Sequence, residues 1–323
     1  MRVVVTLLIA AIMAFGTVAV VSAQDAETEK AALYKTFLDN FKKGPPEQAT
    51  ARKAVKDYLD KFGTSTNEDD KKIADYVTRW AGKYDISARR FELSKAISAK
   101  NGTEAFKLVK QVLVDSPDDL EVQYYVSMLG ADMVGAGDKT VEADTVAFLK
   151  RSIELLAAGK SFDATKPFDD KQRNDSAAAM RYNLFRLNIT TAPAEARTQL
   201  LELIHGPSSY KTESIVYFNL AVLTSKHDYE PLVNKYKSEC EGKEPTDSCK
   251  DQTSKIDAVV EKLLDATARA VAYADGGPNA AMYASKKAAW SSQAENYFKY
   301  LHNDSNTGFA EYMAGISAKP LPY

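Results

Sequence analysis

The side chains best suited to acid–base or metal chemistry are few in this sequence and lie far apart. The three histidines are His205, His227 and His302, and no two of them have the close helical spacing of a metal-binding pair. We expect each histidine at a helix end, where the helix dipole favours a cation. The sequence has neither a Gly-rich phosphate loop nor a Gly-x-Ser-x-Gly elbow. We therefore predict that the protein is not an enzyme and has no catalytic, cofactor-binding or metal-binding residues.

One polar stretch, residues 160–174, is rich in acidic side chains and interrupts the helical pattern. Asp163, Asp169, Asp170 and the nearby Asp175 do not follow the alternating ligand spacing of a calcium loop. A solvated loop explains them better than a calcium site. The stretch is either a linker between domains or a loop inserted into one of them, and we favour the inserted loop because the helical rhythm resumes after it.

The two cysteines, Cys240 and Cys249, flank a short polar segment that contains Gly and Pro. Their spacing does not match a common zinc or redox motif, and in an oxidising compartment a close pair is typical of a disulfide. Closing so short a loop would contribute roughly 2–3 kcal/mol to stability. The alternative is a pair of free thiols.

The N-terminus has the pattern of a secretory signal peptide over residues 1–23. Arg2 precedes an apolar run that ends in the small residues Ser22 and Ala23, which favours cleavage after Ala23. An uncleaved membrane anchor is the alternative, because the run is about long enough to cross a bilayer. We expect a periplasmic or secreted protein that is not inserted in a membrane after cleavage. The formal net charge of −2 gives no basic field for nucleic acid.

Apolar residues recur every three or four positions through the rest of the chain, which predicts helices separated by short turns. The first helix is expected to end at Gly44 and Pro45, and another to begin after Asn67. We further predict a helix break near residue 85 and a helix start at Ser116, which precedes Pro117. The fold class is all-α, with consecutive helices packed as antiparallel pairs and stacked as an α-solenoid.

Two segments repeat at a spacing of 36 residues: the run from Arg181 to Leu187 is echoed by Tyr217 to Leu223. Each precedes a polar turn and a helix that begins at a proline, Pro193 or Pro231. This organisation resembles the tetratricopeptide repeat, in which units of about 34 residues each hold two helices. Tyr217, Leu220 and Ala221 match the family's aromatic, Leu and small positions, and Asp228–Tyr229 resembles its turn. Thr224 and Phe185 depart from the pattern.

The resemblance implies one helical array over residues 24–250, followed by a helical pair and cap over residues 251–323. It also implies a noncatalytic scaffold or adaptor that binds another protein or peptide in the cell envelope or outside the cell. A small-molecule or glycan-binding module is the alternative. Six residues of the two echoed segments are the candidates for partner binding: Tyr182, Asn183, Arg186, Phe218, Asn219 and Lys226. For the two asparagines, hydrogen bonding between helices is the competing interpretation.

Overall fold

The computed structural model describes residues 19–244, 246–276 and 279–323, and the predicted signal peptide therefore lies largely outside the described residues. Within these ranges the regular structure is helical and contains no strand, which confirms the all-α class. The α-helices are α1 Ala19–Asn40, α2 Pro45–Phe62, α3 Glu68–Ser98, α4 Gly102–Asp115, α5 Leu120–Gly135, α6 Glu142–Ala157, α7 Asp170–Asn188, α8 Pro193–His205, α9 Ser214–Thr224, α10 Glu230–Glu239, α11 Asp247–Ala272, α12 Ala280–Leu301 and α13 Phe309–Gly315. Short 3-10 turns occupy Ser209–Thr212 and Ile316–Ala318, and a π-helical segment occupies Ser225–Tyr229.

The chain divides into two compact units, residues 1–94 and 95–323, and the division falls within α3. In the described part of the first unit, α1 packs against α2 around the buried ring of Phe37. The ring of Trp80, from α3, meets Phe37 edge-on at 5.1 Å. Ion pairs also join α3 to the other two helices: Lys30 contacts Asp70 at 2.9 Å, and Arg52 contacts Asp85 through two hydrogen bonds of 2.8 and 2.9 Å.

In the second unit, helices pack mainly on their neighbours in sequence. Helix α5 packs against α6, α6 against α7, α7 against α8, and α11 against α12. Helix α9 instead packs chiefly against α11, and α10 contributes no buried side chain. One core cluster of this unit is formed by buried side chains of α7, α8, α9, α11 and α12.

Two sequence-based boundaries are wrong. Helix α3 runs unbroken through residue 85, and it has buried positions on both sides of that residue, at Ala81 and Leu93. Helix α5 begins at Leu120 and is capped by Asp119, which accepts a hydrogen bond from the Val122 N–H at 3.2 Å. Ser116 does not start that helix; it follows the last residue of α4.

The acidic loop is shorter than predicted, because α7 already begins at Asp170. Asp169 accepts the Gln172 N–H at 2.7 Å while the Gln172 side chain accepts the Asp169 N–H, so this acid caps the helix. Asp163 accepts the N–H and the hydroxyl of Thr165 at 2.8 Å each. The loop lies inside the second unit, and the proposed boundary at 250/251 falls within α11.

Candidate functional site

Asn183, one of the predicted binding residues, lies in the packed interface between α7 and α5. Its side chain is only 6 % exposed. The side-chain amide donates to the Ala179 carbonyl at 3.0 Å and lies 3.2 Å from the sulfur of Met128, which belongs to α5. Its oxygen accepts a hydrogen bond from Nη1 of Arg186 at 3.1 Å. Asn183 therefore joins two helices and orients the arginine one turn further along.

Arg186 lies at the edge of a cleft between the C-terminal ends of α5 and α7. The cleft has a volume of about 220 Å³, and its lining includes Lys139 and the backbone of Gly135. A methyl group at position 135 would lie 3.1 Å from Nη2 of Arg186, so glycine leaves room for the guanidinium. Among the described residues no ion pair includes Arg186, whereas Lys139 contacts Glu142 at 3.5 Å. An exposed guanidinium beside a second cation favours a negatively charged group in this cleft.

Tyr182 points away from that cleft into an aromatic cluster. Its ring centre lies 5.9 Å from that of Phe185 and 5.4 Å from that of Tyr210, in the 3-10 turn after α8. Burial raises the pKa of Tyr182, and it raises the pKa of Tyr210 to about 12. Both phenols therefore stay neutral at physiological pH, and Tyr182 packs α7 against the following turn.

Phe218 and Asn219 lie on α9, and both are half-buried. The ring of Phe218 stacks on Trp290 of α12 at 4.8 Å, with the ring planes inclined by 27°. Phe218 therefore contributes to the core of the second unit. Tyr182 and Phe218, the aromatic residues of the two repeated segments, pack against different partners.

Lys226 is exposed within the π-helical segment Ser225–Tyr229, and the turn predicted at Asp228–Tyr229 is wrong. Here the Glu230 N–H bonds to the Ser225 carbonyl, and the chain stays helical into α10. Pro231 has no N–H to continue the ordinary pattern, which explains why the helix widens just before it. Asp228 is held by Arg197 of α8 at 2.9 Å.

The histidines are not brought together. His205 ends α8, and His302 follows the last residue of α12, with Nδ1 2.8 Å from the Phe298 carbonyl oxygen. His227 is inside the π-helical segment, so its predicted place at a helix end is wrong. The described residues contain no group of three or more histidine, cysteine or acidic side chains arranged to hold a metal ion.

The last five residues form an extended strap across α9 and α11. Nη2 of Arg269 donates to the carbonyls of Lys319 at 2.6 Å and Pro320 at 3.3 Å. The Tyr323 hydroxyl donates to the Lys262 carbonyl at 2.8 Å. Arg269 is itself buried and paired with Asp265 at 2.8 Å, and no sequence pattern predicted this arrangement.

The sulfur atoms of Cys240 and Cys249 lie 2.13 Å apart, which is bonding distance and agrees with the predicted disulfide. Such a pair fits an oxidising compartment outside the cytoplasm. In the described ranges, every helix is too short or too polar to cross a membrane.

The chain was compared with protein-family models, curated proteins and solved structures, and it matches none of them.

Proposed function

We propose that this protein is a noncatalytic interaction scaffold that works in the periplasm or outside the cell. The helices of the second unit form a divergent α-solenoid that resembles tetratricopeptide repeats. Its ligand is an extended, acidic or carboxylate-bearing segment of another protein. That segment binds at the cleft of Arg186 and Lys139, and Lys226 is a second candidate contact.

The observation that carries this proposal is that the guanidinium of Arg186 makes no ion pair with a described residue. Asn183 holds it at 3.1 Å without neutralising it, and Gly135 gives it space at the rim of the cleft. Other arginines of the second unit make ion pairs: Arg151 contacts Asp118 at 2.5 Å, and Arg197 contacts Asp228. A charge that is oriented by the fold but not paired within it is well placed to pair with a partner.

The neighbour-to-neighbour packing of α5, α6, α7 and α8 supports the repeat interpretation. Such packing gives stacked helical units an extended surface for peptide-like ligands. The strap at Lys319–Tyr323 adds support, because α11 of the same unit already holds an extended segment through its main-chain carbonyls.

The test is affinity capture from envelope extract and culture medium of the source organism. The baits are the wild type, Arg186→Glu, Lys226→Glu and Lys237→Glu. Lys237 is exposed on α10 and serves as the matched control. We expect one partner to be retained by the wild type and Lys237→Glu and lost by Arg186→Glu. Equal retention by all four baits would refute the proposed site, and turnover of a substrate would refute the noncatalytic role.

The location rests on the predicted signal peptide and on the cysteine pair. N-terminal sequencing of exported protein is expected to read from Gln24. Thiol titration of the unfolded protein without reductant is expected to find no free thiol. A start at Met1 in a membrane fraction would contradict the proposed export.

A further inference from the structure

Glu213 is a nearly buried acid without a cation to balance its charge. Only 9 % of the residue is exposed, and it makes no ion pair in the part of the chain that the structure describes. Its carboxylate accepts one long hydrogen bond there, from Nδ2 of Asn279 at 3.5 Å. The buried Asp265, by contrast, is paired with Arg269 at 2.8 Å. Acids are seldom buried unless they are paired, so the charge of Glu213 remains available to a cation.

The carboxylate is fixed in position and is not sealed from solvent. The Glu213 N–H donates to the Tyr210 carbonyl at 3.0 Å, and the Glu213 carbonyl accepts the Val216 N–H at 3.1 Å. These bonds place Glu213 directly before α9, where the positive end of the helix dipole offsets part of the cost of the charge. Its Oε1 has no hydrogen-bond partner among the described residues, and it is not one of the fully buried polar atoms. A ligand can therefore reach it.

Three tyrosines from three different elements lie around this carboxylate. Tyr182 belongs to α7, Tyr210 to the 3-10 turn after α8, and Tyr283 to α12. The ring centres of Tyr182 and Tyr210 are 5.4 Å apart. Burial, and then the negative charge of Glu213, raises the pKa of Tyr283 to about 12. The same charge adds to the effect of burial in raising the pKa of Tyr182 and of Tyr210, so the carboxylate lies near all three phenols.

The phenol hydroxyls offer further acceptors beside Glu213. Tyr283 is 3 % exposed, yet its hydroxyl makes no hydrogen bond within the described ranges and is not fully buried. The hydroxyls of Tyr182 and Tyr210 likewise have no partner there. Hydroxyls on buried residues normally find partners. The three oxygens can therefore accept hydrogen bonds from a group that approaches Glu213.

Charge and ring faces together select the kind of ligand. A carboxylate attracts a cation, and the face of a tyrosine ring does the same. One carboxylate provides too few ligands for a calcium ion, whereas an organic ammonium ion uses both the acid and the rings. We infer that Glu213, Tyr182, Tyr210 and Tyr283 bind an ammonium group carried on an aliphatic stem. The ammonium donates to Glu213 and the hydroxyls, and the stem lies along the rings.

An ammonium group of this kind has two sources, the lysine side chain of a peptide or a free small amine. The full mature chain is titrated calorimetrically with N-acetyl-lysine methylamide and with pentylamine. The uncharged controls of matching stem are N-acetyl-norleucine methylamide and 1-pentanol. We expect each amine that binds to be at least about tenfold tighter than its uncharged control. Tighter binding of the lysine compound assigns a peptide side chain, and tighter binding of pentylamine assigns a free amine.

Variants place the binding at Glu213. Glu213→Gln keeps the shape and removes the charge, so affinity is expected to fall at least about tenfold with no loss of melting temperature. Tyr283→Phe removes an unpartnered hydroxyl, and we expect a loss of about threefold to tenfold. Glu261→Gln is the matched control, because Glu261 is an exposed acid of α11 and makes no ion pair with a described residue. It is expected to bind like the wild type.

Three results would overturn the inference: equal affinity for the amines and their uncharged controls, binding of neither amine, or unchanged affinity in Glu213→Gln. A fall in melting temperature that accompanies the loss of affinity in Glu213→Gln would mean that the acid is structural. If that variant does not fold, Tyr283→Phe decides, and unchanged affinity there counts against the site. Arg186→Glu alters a cleft with a different lining, so failure here leaves the proposed partner site untouched.

Discussion

Arg186 and Arg269 belong to the same compact unit but have opposite surroundings. Arg269 is 3 % exposed, is paired with Asp265, and donates to two carbonyls of the C-terminal strap. Arg186 is exposed and is held only by the neutral side chain of Asn183. A fold can therefore use one guanidinium to hold its own buried groups together and orient another at the surface for a partner. Substitution of Arg269 should therefore lower the stability of the fold. Substitution of Arg186 should instead weaken partner binding and leave stability nearly unchanged.

The largest expected effect is that of Arg269→Gln. The substitution leaves Asp265 buried without its cation and leaves the strap carbonyls without their donor. We expect the free energy of unfolding to fall by about 3–5 kcal/mol, measured by urea denaturation. The double variant Asp265→Leu/Arg269→Met should recover much of this loss, because it removes both charges together. A loss below about 1 kcal/mol in the single variant would mean that the pair does not hold the strap.

The strap itself is tested by Tyr323→Phe. The change deletes the hydroxyl that donates to the Lys262 carbonyl at 2.8 Å and keeps the ring. We expect a loss of about 1 kcal/mol in the free energy of unfolding. Tyr300→Phe is the matched control, because the Tyr300 hydroxyl bonds to Asp257 at the exposed surface. Equal losses in the two variants would contradict a special role for the strap.

The ion pair of Lys30 with Asp70 extends the comparison to the first unit. Hydrogen bonds from Lys30 and Ser65 lower the pKa of Asp70 below its ordinary value of 3.8. A carboxyl whose pKa is lowered by folding stabilises the protein above its unfolded pKa, and this contribution is lost as pH falls through the folded pKa. We expect Asp70→Asn to cost up to about 1 kcal/mol at neutral pH.

The cost of Asp70→Asn should shrink as the pH falls from 3.8 through the lowered pKa of the folded state, where wild-type Asp70 becomes protonated. Urea denaturation at several pH values measures it. Asp39→Asn is the control, because Asp39 pairs with Lys35 in an exposed position. A cost that stays constant down to pH 2 would show that the charge of Asp70 is not responsible.

Helix content was predictable from the sequence, because the signals that set it are local. The spacing of apolar residues, the acids after Asn67 and the glycine and prolines at residues 44–46 each act within a few positions. The predicted start at Ser116 failed because Asp119 is also a strong cap and stands directly before the buried Leu120. The break predicted near residue 85 failed because no proline stands there and the single glycine nearby, Gly82, is tolerated inside α3.

The candidate sites were predictable only in part. Sequence reasoning selected Arg186, but it missed Lys139 and Gly135, which the packing of α5 against α7 brings to the same cleft. The contact of Arg269 with Lys319 joins residues 50 positions apart in the chain, so no local sequence pattern could predict it.

Arg186→Glu provides the smallest expected change in stability and the most direct test of the account. Urea unfolding and affinity capture are measured on one preparation, beside Lys237→Glu. Because no described acid pairs with Arg186, we predict an unfolding free energy within about 0.5 kcal/mol of the wild type, together with loss of the captured partner. Retention of the partner, or a destabilisation like that of Arg269→Gln, would contradict the claim that the fold orients Arg186 for another molecule.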